Sequence, residues 1–81
     1  MDRRQLIREH IALLATEHGH TDPIRDDESL ILSGLLDSLA VVQIVVFMEQ
    51  TFEIDFSAVF FDQNDFDSID AMVAFVNLNA P

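Results

Sequence analysis

The stretch from Ser38 to Phe52, SLAVVQIVVFMEQTF, constrains the fold more than any other part of this chain. Its valines and isoleucine would suit a strand, but fifteen residues exceed the usual strand length and a period of two is missing. Helical spacing fits instead: Val41, Ile44, Val45, Met48 and Phe52 recur at i, i+3, i+4, i+7 and i+11. Leu39, Val42 and Val46 form a second apolar strip on a different face. A helix apolar on two faces is either buried all round or offers one face to a partner. In a chain of 81 residues full burial is geometrically difficult.

So short a chain needs a core or a staple. There is no cysteine, which removes disulfides and thiolate zinc sites, so the core must come from the 49% of residues that are apolar. All seven aromatics are Phe, which fill a core without a buried OH or NH to satisfy. Two Gly and two Pro leave room for long regular elements with brief punctuation. Fifteen acids face four arginines and no lysine, a formal net charge of −11. Nucleic-acid binding relies on Lys and Arg at phosphates, so this balance excludes it and favours basic protein partners. Arg8, Glu9 and His10 interrupt what would be the apolar core of a signal peptide, and no apolar run reaches membrane-spanning length. A cytoplasmic monomer with no membrane insertion is expected.

The remaining elements follow from caps and periodicity. Residues 2–17 read as an amphipathic helix, capped by Asp2, with Ile7, Ile11 and Leu14, joined by Leu6 and Leu13, at helical spacing. His18-Gly19-His20 ends it: glycine suits the left-handed position and an imidazolium suits the helix C-terminus. With no third ligand type nearby, the two histidines read as a cap and not as a metal pair. Residues 20–37 form a long acidic connection whose Leu30, Ile31, Leu32, Leu35 and Leu36 should pack onto the core. A short helical turn is expected over Phe56–Phe61, followed by a polar stretch, Asp62–Asp65. Asp67-Ser68 then opens a last helix with Ile69, Met72, Val73 and Val76 on one face and Asn77, Asn79 and Pro81 at its end. The expectation is all-α: one domain, 1–81, a small four-helix bundle with three long helices, one short, and a long loop between the first two.

Catalytic chemistry finds little support. A nucleophilic serine needs a nearby base and an oxyanion site, yet all three histidines fall within residues 10–20 and no Gly-x-Ser-x-Gly elbow exists. The acidic run from Asp62 fails as a calcium loop, lacking the mid-loop glycine and carrying Val73 where the closing Glu belongs. No metal site and no enzyme are expected. The sharper feature is Gly34-Leu35-Leu36-Asp37-Ser38-Leu39, at the junction of loop and doubly apolar helix. Asp and Ser are the favoured helix caps, so the pair has a purely structural reading. A phosphodiester on Ser38 would equally sit against the positive end of the helix.

Gly-x-x-Asp-Ser-Leu, after a helix and a long loop and before an apolar helix ending in Phe, resembles the acyl and peptidyl carrier protein family over nearly the whole chain. The resemblance implies that Ser38, preceded by Asp37, receives 4′-phosphopantetheine from a Mg-dependent phosphopantetheinyl transferase. The thiol of that arm then holds an acyl or aminoacyl group as a thioester. Further implied partners are an acyl- or aminoacyl-loading ligase and a downstream acyl acceptor or transferase. The pattern is also similar to D-alanyl carrier proteins and stand-alone aminoacyl carriers, in Gly34–Ser38, Phe52, Phe61-Asp62 and Phe66-Asp67-Ser68. It departs from that subfamily in having Phe66 for Trp, Ser68 for Thr and Ile69 for Pro. Ala40 and Gln43 occupy positions where fatty-acid carriers often place acids, leaving Leu39, Val42, Gln43 and Val46 as the expected docking surface, more apolar than acidic. A carrier-like bundle that is never loaded and serves in regulation or assembly is the competing reading.

Overall fold

The computed structural model describes residues 2–81. Three α-helices run in the order α1 (Arg3–Glu17), α2 (Ser38–Phe52) and α3 (Ile69–Asn79). The fourth element is a single 3-10 turn, Gln63–Phe66, so the architecture is three helices plus a turn and not a four-helix bundle.

Each helix starts where a short polar side chain takes up orphan backbone donors. Asp2 accepts from the Gln5 N–H (2.7 Å), Asp37 from Ala40 (2.8 Å), and the Ser68 hydroxyl from Ala71 (3.0 Å). α1 ends as expected: Gly19 lies at φ +73°, its N–H bonds the Thr16 carbonyl and the His20 N–H bonds that of Ala15. This paired pattern satisfies the last carbonyls of a helix and requires a left-handed residue. The same device recurs inside the long connection. One helical turn over 30–33 closes with Gly34 at φ +84°, Gly34 N–H to Ile31 and Leu35 N–H to Leu30. The glycine of the Gly-x-x-Asp-Ser motif thus stops that turn and aims the chain at the start of α2.

The short element is displaced from 56–61. Asp55 accepts from both the N–H and the hydroxyl of Ser57, and Ala58 N–H bonds the Asp55 carbonyl, giving a side-chain-held turn that goes no further. Phe56 and Phe61 would diverge by about 140° on a helix. With the chain turned and then extended, their rings meet at 5.1 Å. The 3-10 turn begins instead at Asp62, whose carboxylate accepts from Asn64 while Asp65 reaches back to the Asp62 N–H. The stretch that reads as merely polar in sequence is therefore the capped element.

The core comprises Ile7, Ile11 and Leu14 of α1, Ala40, Ile44, Met48 and Phe52 of α2, and Ile69, Met72, Phe75 and Val76 of α3, closed by Leu30, Leu35, Leu36, Ile54 and Phe66. Phe66 meets Phe75 edge to face at 5.3 Å, and Phe56 and Phe61 extend that cluster. Several positions differ from the expected stripes. Val41, Val45 and Val73 are only half-buried, Ala40 and Phe75 take core places, and Leu13 and Leu32 face solvent. Asn77 lies within α3, not at its end, and accepts from the Arg3 guanidinium at 2.9 Å.

The acidic connection is tied down by Asp67. Its carboxylate accepts from the Ser29 hydroxyl (2.8 Å) and the Ile31 N–H (2.9 Å), and its carbonyl from the Leu30 N–H (2.6 Å). Arg4 bridges Asp26 of the connection and Asp70 of α3, Arg8 also pairs with Asp26, and the Asp70 N–H bonds the Asp26 carbonyl. Burial alone would raise Asp26, but the two guanidiniums outweigh it and hold the carboxyl below its usual range. α1 packs most closely on α3. The α1–α2 pair is joined largely through long side chains, which leaves a groove between them.

Candidate functional site

The start of α2 carries the residues singled out in sequence. Asp37 is the N-cap, and Ser38 is the first helical residue, exposed to solvent. The chain has five serines, and four of their hydroxyls are engaged internally. Ser29 donates to Asp67, Ser33 to the Leu30 carbonyl and Ser57 to Asp55, while Ser68 caps α3. Among the described residues, Ser38 Oγ makes no intramolecular hydrogen bond. It is exposed, free of a competing partner, and set at the positive end of a fifteen-residue helix.

Asp37 has a second partner that sequence reasoning did not assign. His18, at the C-terminus of α1, places Nε2 at 3.5 Å from Asp37 Oδ2 and directs Nδ1 to the Leu14 carbonyl at 3.0 Å. Both ring nitrogens face acceptors, which only the imidazolium can satisfy together. The Leu14 carbonyl, and behind it Asp37, therefore hold His18 above the ordinary histidine range despite some desolvation. The Ala40 N–H, and then His18, hold the Asp37 carboxyl below its own. The cap before Ser38 is thereby ionised at neutral pH and anchored to the far end of another helix.

The expected docking residues separate into two groups. Leu39, Val42 and Val46 are 62%, 57% and 43% exposed and form a continuous apolar strip running down α2 from Ser38. Gln43 is half-buried and turns toward α1. Ala40 is fully buried, so its lack of charge reflects packing and not partner choice. Glu49 is exposed farther along. Leu13, Leu32 and Phe60 are large exposed apolar residues that periodicity assigned elsewhere or left unassigned. Among the described residues no cluster of His, Asp or Glu could hold a metal ion, and no helix is long and apolar enough to cross a membrane.

A groove of about 410 Å³ separates α1 from α2. Leu13, Glu17, Val42 and Val46 form its walls, and the stacked pair His10 and Phe47, ring centroids 4.2 Å apart, lies farther along. Burial against Phe47 lowers the His10 pKa, so its ring is neutral where that of His18 is charged.

Comparison with curated proteins and comparison with solved structures each gave no match. Residues 6–76 match the family described as phosphopantetheine attachment site, a span reaching from α1 through Ser38 and α2 into α3. The chain belongs to that phosphopantetheine-binding family of carrier proteins, whose prosthetic group is 4′-phosphopantetheine held covalently on a serine.

Proposed function

We propose that residues 1–81 act as one carrier domain with the arm attached at Ser38, holding an acyl or aminoacyl group as a thioester and presenting it to partner enzymes. The observation that carries this reading is the Ser38 hydroxyl: exposed, unpartnered among the described residues, and at the head of α2 in a chain of this family. When attached, the arm supplies the thiol that a cysteine-free chain lacks. Ser38 Oγ forms the new bond to phosphorus, its proton passing to a base on the transferase. The bond broken is the pyrophosphate link of coenzyme A, and adenosine 3′,5′-bisphosphate leaves. Asp37 orients this turn by capping α2, and the helix terminus favours the resulting phosphodiester.

The partners are then a phosphopantetheinyl transferase, a loading ligase and an acceptor or transferase, meeting a cytoplasmic monomer on the Leu39–Val42–Val46 strip. The chain itself performs no catalysis. The likeness of Phe61-Asp62 and Phe66-Asp67-Ser68 to aminoacyl carriers favours an aminoacyl cargo. Intact mass after incubation with coenzyme A and a broad-specificity transferase tests the reading. Wild type should gain one arm and Ser38→Ala none, with unchanged helical circular dichroism. A wild type that stays unmodified, or an alanine variant that still gains mass, overturns it and leaves the unloaded assembly subunit.

A further inference from the structure

The groove between α1 and α2 contains two polar atoms that the fold leaves unsatisfied. Gln43 Oε1 and His10 Nε2 are both shielded from solvent, and neither has a hydrogen-bond partner. Each such atom costs about 1–3 kcal/mol unless something supplies the bond. Around them the lining is apolar, from Leu13, Val42 and Val46, so the groove combines hydrocarbon walls with isolated amide and imidazole groups. That is the chemistry of a small amphipathic ligand.

The direction of the groove names the ligand. α1 and α2 run antiparallel here, with His18 against Asp37 at one end and His10 against Phe47 at the other. The groove therefore opens beside Ser38 and continues to Gln50, twelve residues on, a distance of about 18 Å at the rise of a helix. The 4′-phosphopantetheine arm, a chain of two amides, a geminal dimethyl and a thiol, extends over the same order of length by ordinary bond dimensions, roughly 15–20 Å. Its amides have the donors and acceptors that Gln43 and His10 lack, and its methyls match the valine wall. Tethering at Ser38 also raises its local concentration into the mM range, so even weak contacts would be occupied. A partner helix has no such advantage.

We propose that the arm carried by Ser38 rests in the α1–α2 groove between docking events, its methyls against Leu13, Val42 and Val46 and its amides toward Gln43 and His10. The inference rests on attachment at Ser38. Because Val42 and Val46 are both groove wall and docking strip, an arriving enzyme displaces the arm from the surface it covers.

The test compares isotope-labelled apo and holo protein by NMR, with each state verified by intact mass. Holo protein should show nuclear Overhauser contacts from the arm methyls to the Val42 and Val46 methyls, and shifted Gln43 amide and His10 ring signals. Gln43→Leu should keep the fold and the mass gain but lose the arm-to-valine contacts. Fully modified protein whose shifts stay within a turn of Ser38 overturns the proposal while leaving attachment intact, and so do contacts that arise only with a bound enzyme. Failure to gain mass removes the attachment itself, and the proposal with it.

Discussion

His18 and His10, eight residues apart on one helix, respond to pH in opposite senses. The folded-state pKa of His18 is raised, so its stabilising contribution is complete below the unfolded value of about 6.5 and disappears as pH rises through the folded one. Asp37 is depressed, so its contribution is present above the unfolded carboxyl value and is lost as pH falls through the folded one. Their contact is therefore strongest between those limits. His10 is lowered by burial, so the unfolded chain binds its proton more readily and stability rises with pH toward about 6.5. His18→Gln should flatten the alkaline decline in melting temperature and leave the acid-side rise that belongs to His10. A variant with the wild-type profile would show that the His18 contacts do not set that decline. Gly34 is the other residue whose chemistry is fixed by the backbone. Nothing crowds a Cβ there, so Gly34→Ala carries only the left-handed penalty, about 1–2 kcal/mol. A drop in melting temperature of several degrees is expected, and Gly34→Asn should lose less.

At the level of elements, caps were the legible part of the sequence. Asp2, Asp37 and Ser68 each mark a helix start that the structure keeps, and Gly19 marks an end. The short element was not legible, because Asp55 and Asp62 are both able to open a turn. Choosing between them requires the packing of Phe56, Phe61 and Phe66 around Phe75, which local spacing does not contain. The attachment serine could be read from its motif, whereas the His18–Asp37 link and the groove join residues far apart in the chain. Asp67 is likewise invisible as a clamp until the connection folds over it. Asp67→Ala should cost about 2 kcal/mol by releasing hydrogen bonds from Ser29 and Ile31, measured by urea unfolding. A cost below 0.5 kcal/mol would mean that the connection holds itself. On α2, exposure decides what Val46→Asp should do. The fold should survive, since Val46 is not in the core, while loading by the cognate ligase falls several-fold through loss of an apolar contact. An unfolded variant, or unchanged loading, contradicts the docking strip.

The molecule as a whole carries −11 with few internal counter-charges: Arg4 and Arg8 hold Asp26, Arg4 also holds Asp70, and Arg25 lies beside Asp27. The remaining acids repel one another across a domain only 34 Å in its longest dimension, within a few screening lengths at physiological salt. Raising salt from low to physiological strength, or adding a divalent cation, should therefore raise the melting temperature, and indifference to salt would refute the repulsion. The disposition of the basic groups also bears on chemical lifetime. Arg3, Arg4 and Arg8 lie in the first half of α1, turned to α3 and the connection, and the one imidazole against the attachment turn has both nitrogens occupied. The chain has neither a lysine nor a cysteine. An activated ester carried at the head of α2 thus meets no side-chain amine or thiol of its own carrier, and aminolysis and thiol exchange must wait for another molecule. The vessel is inert toward its contents, so the cargo persists until an acceptor arrives or water takes it.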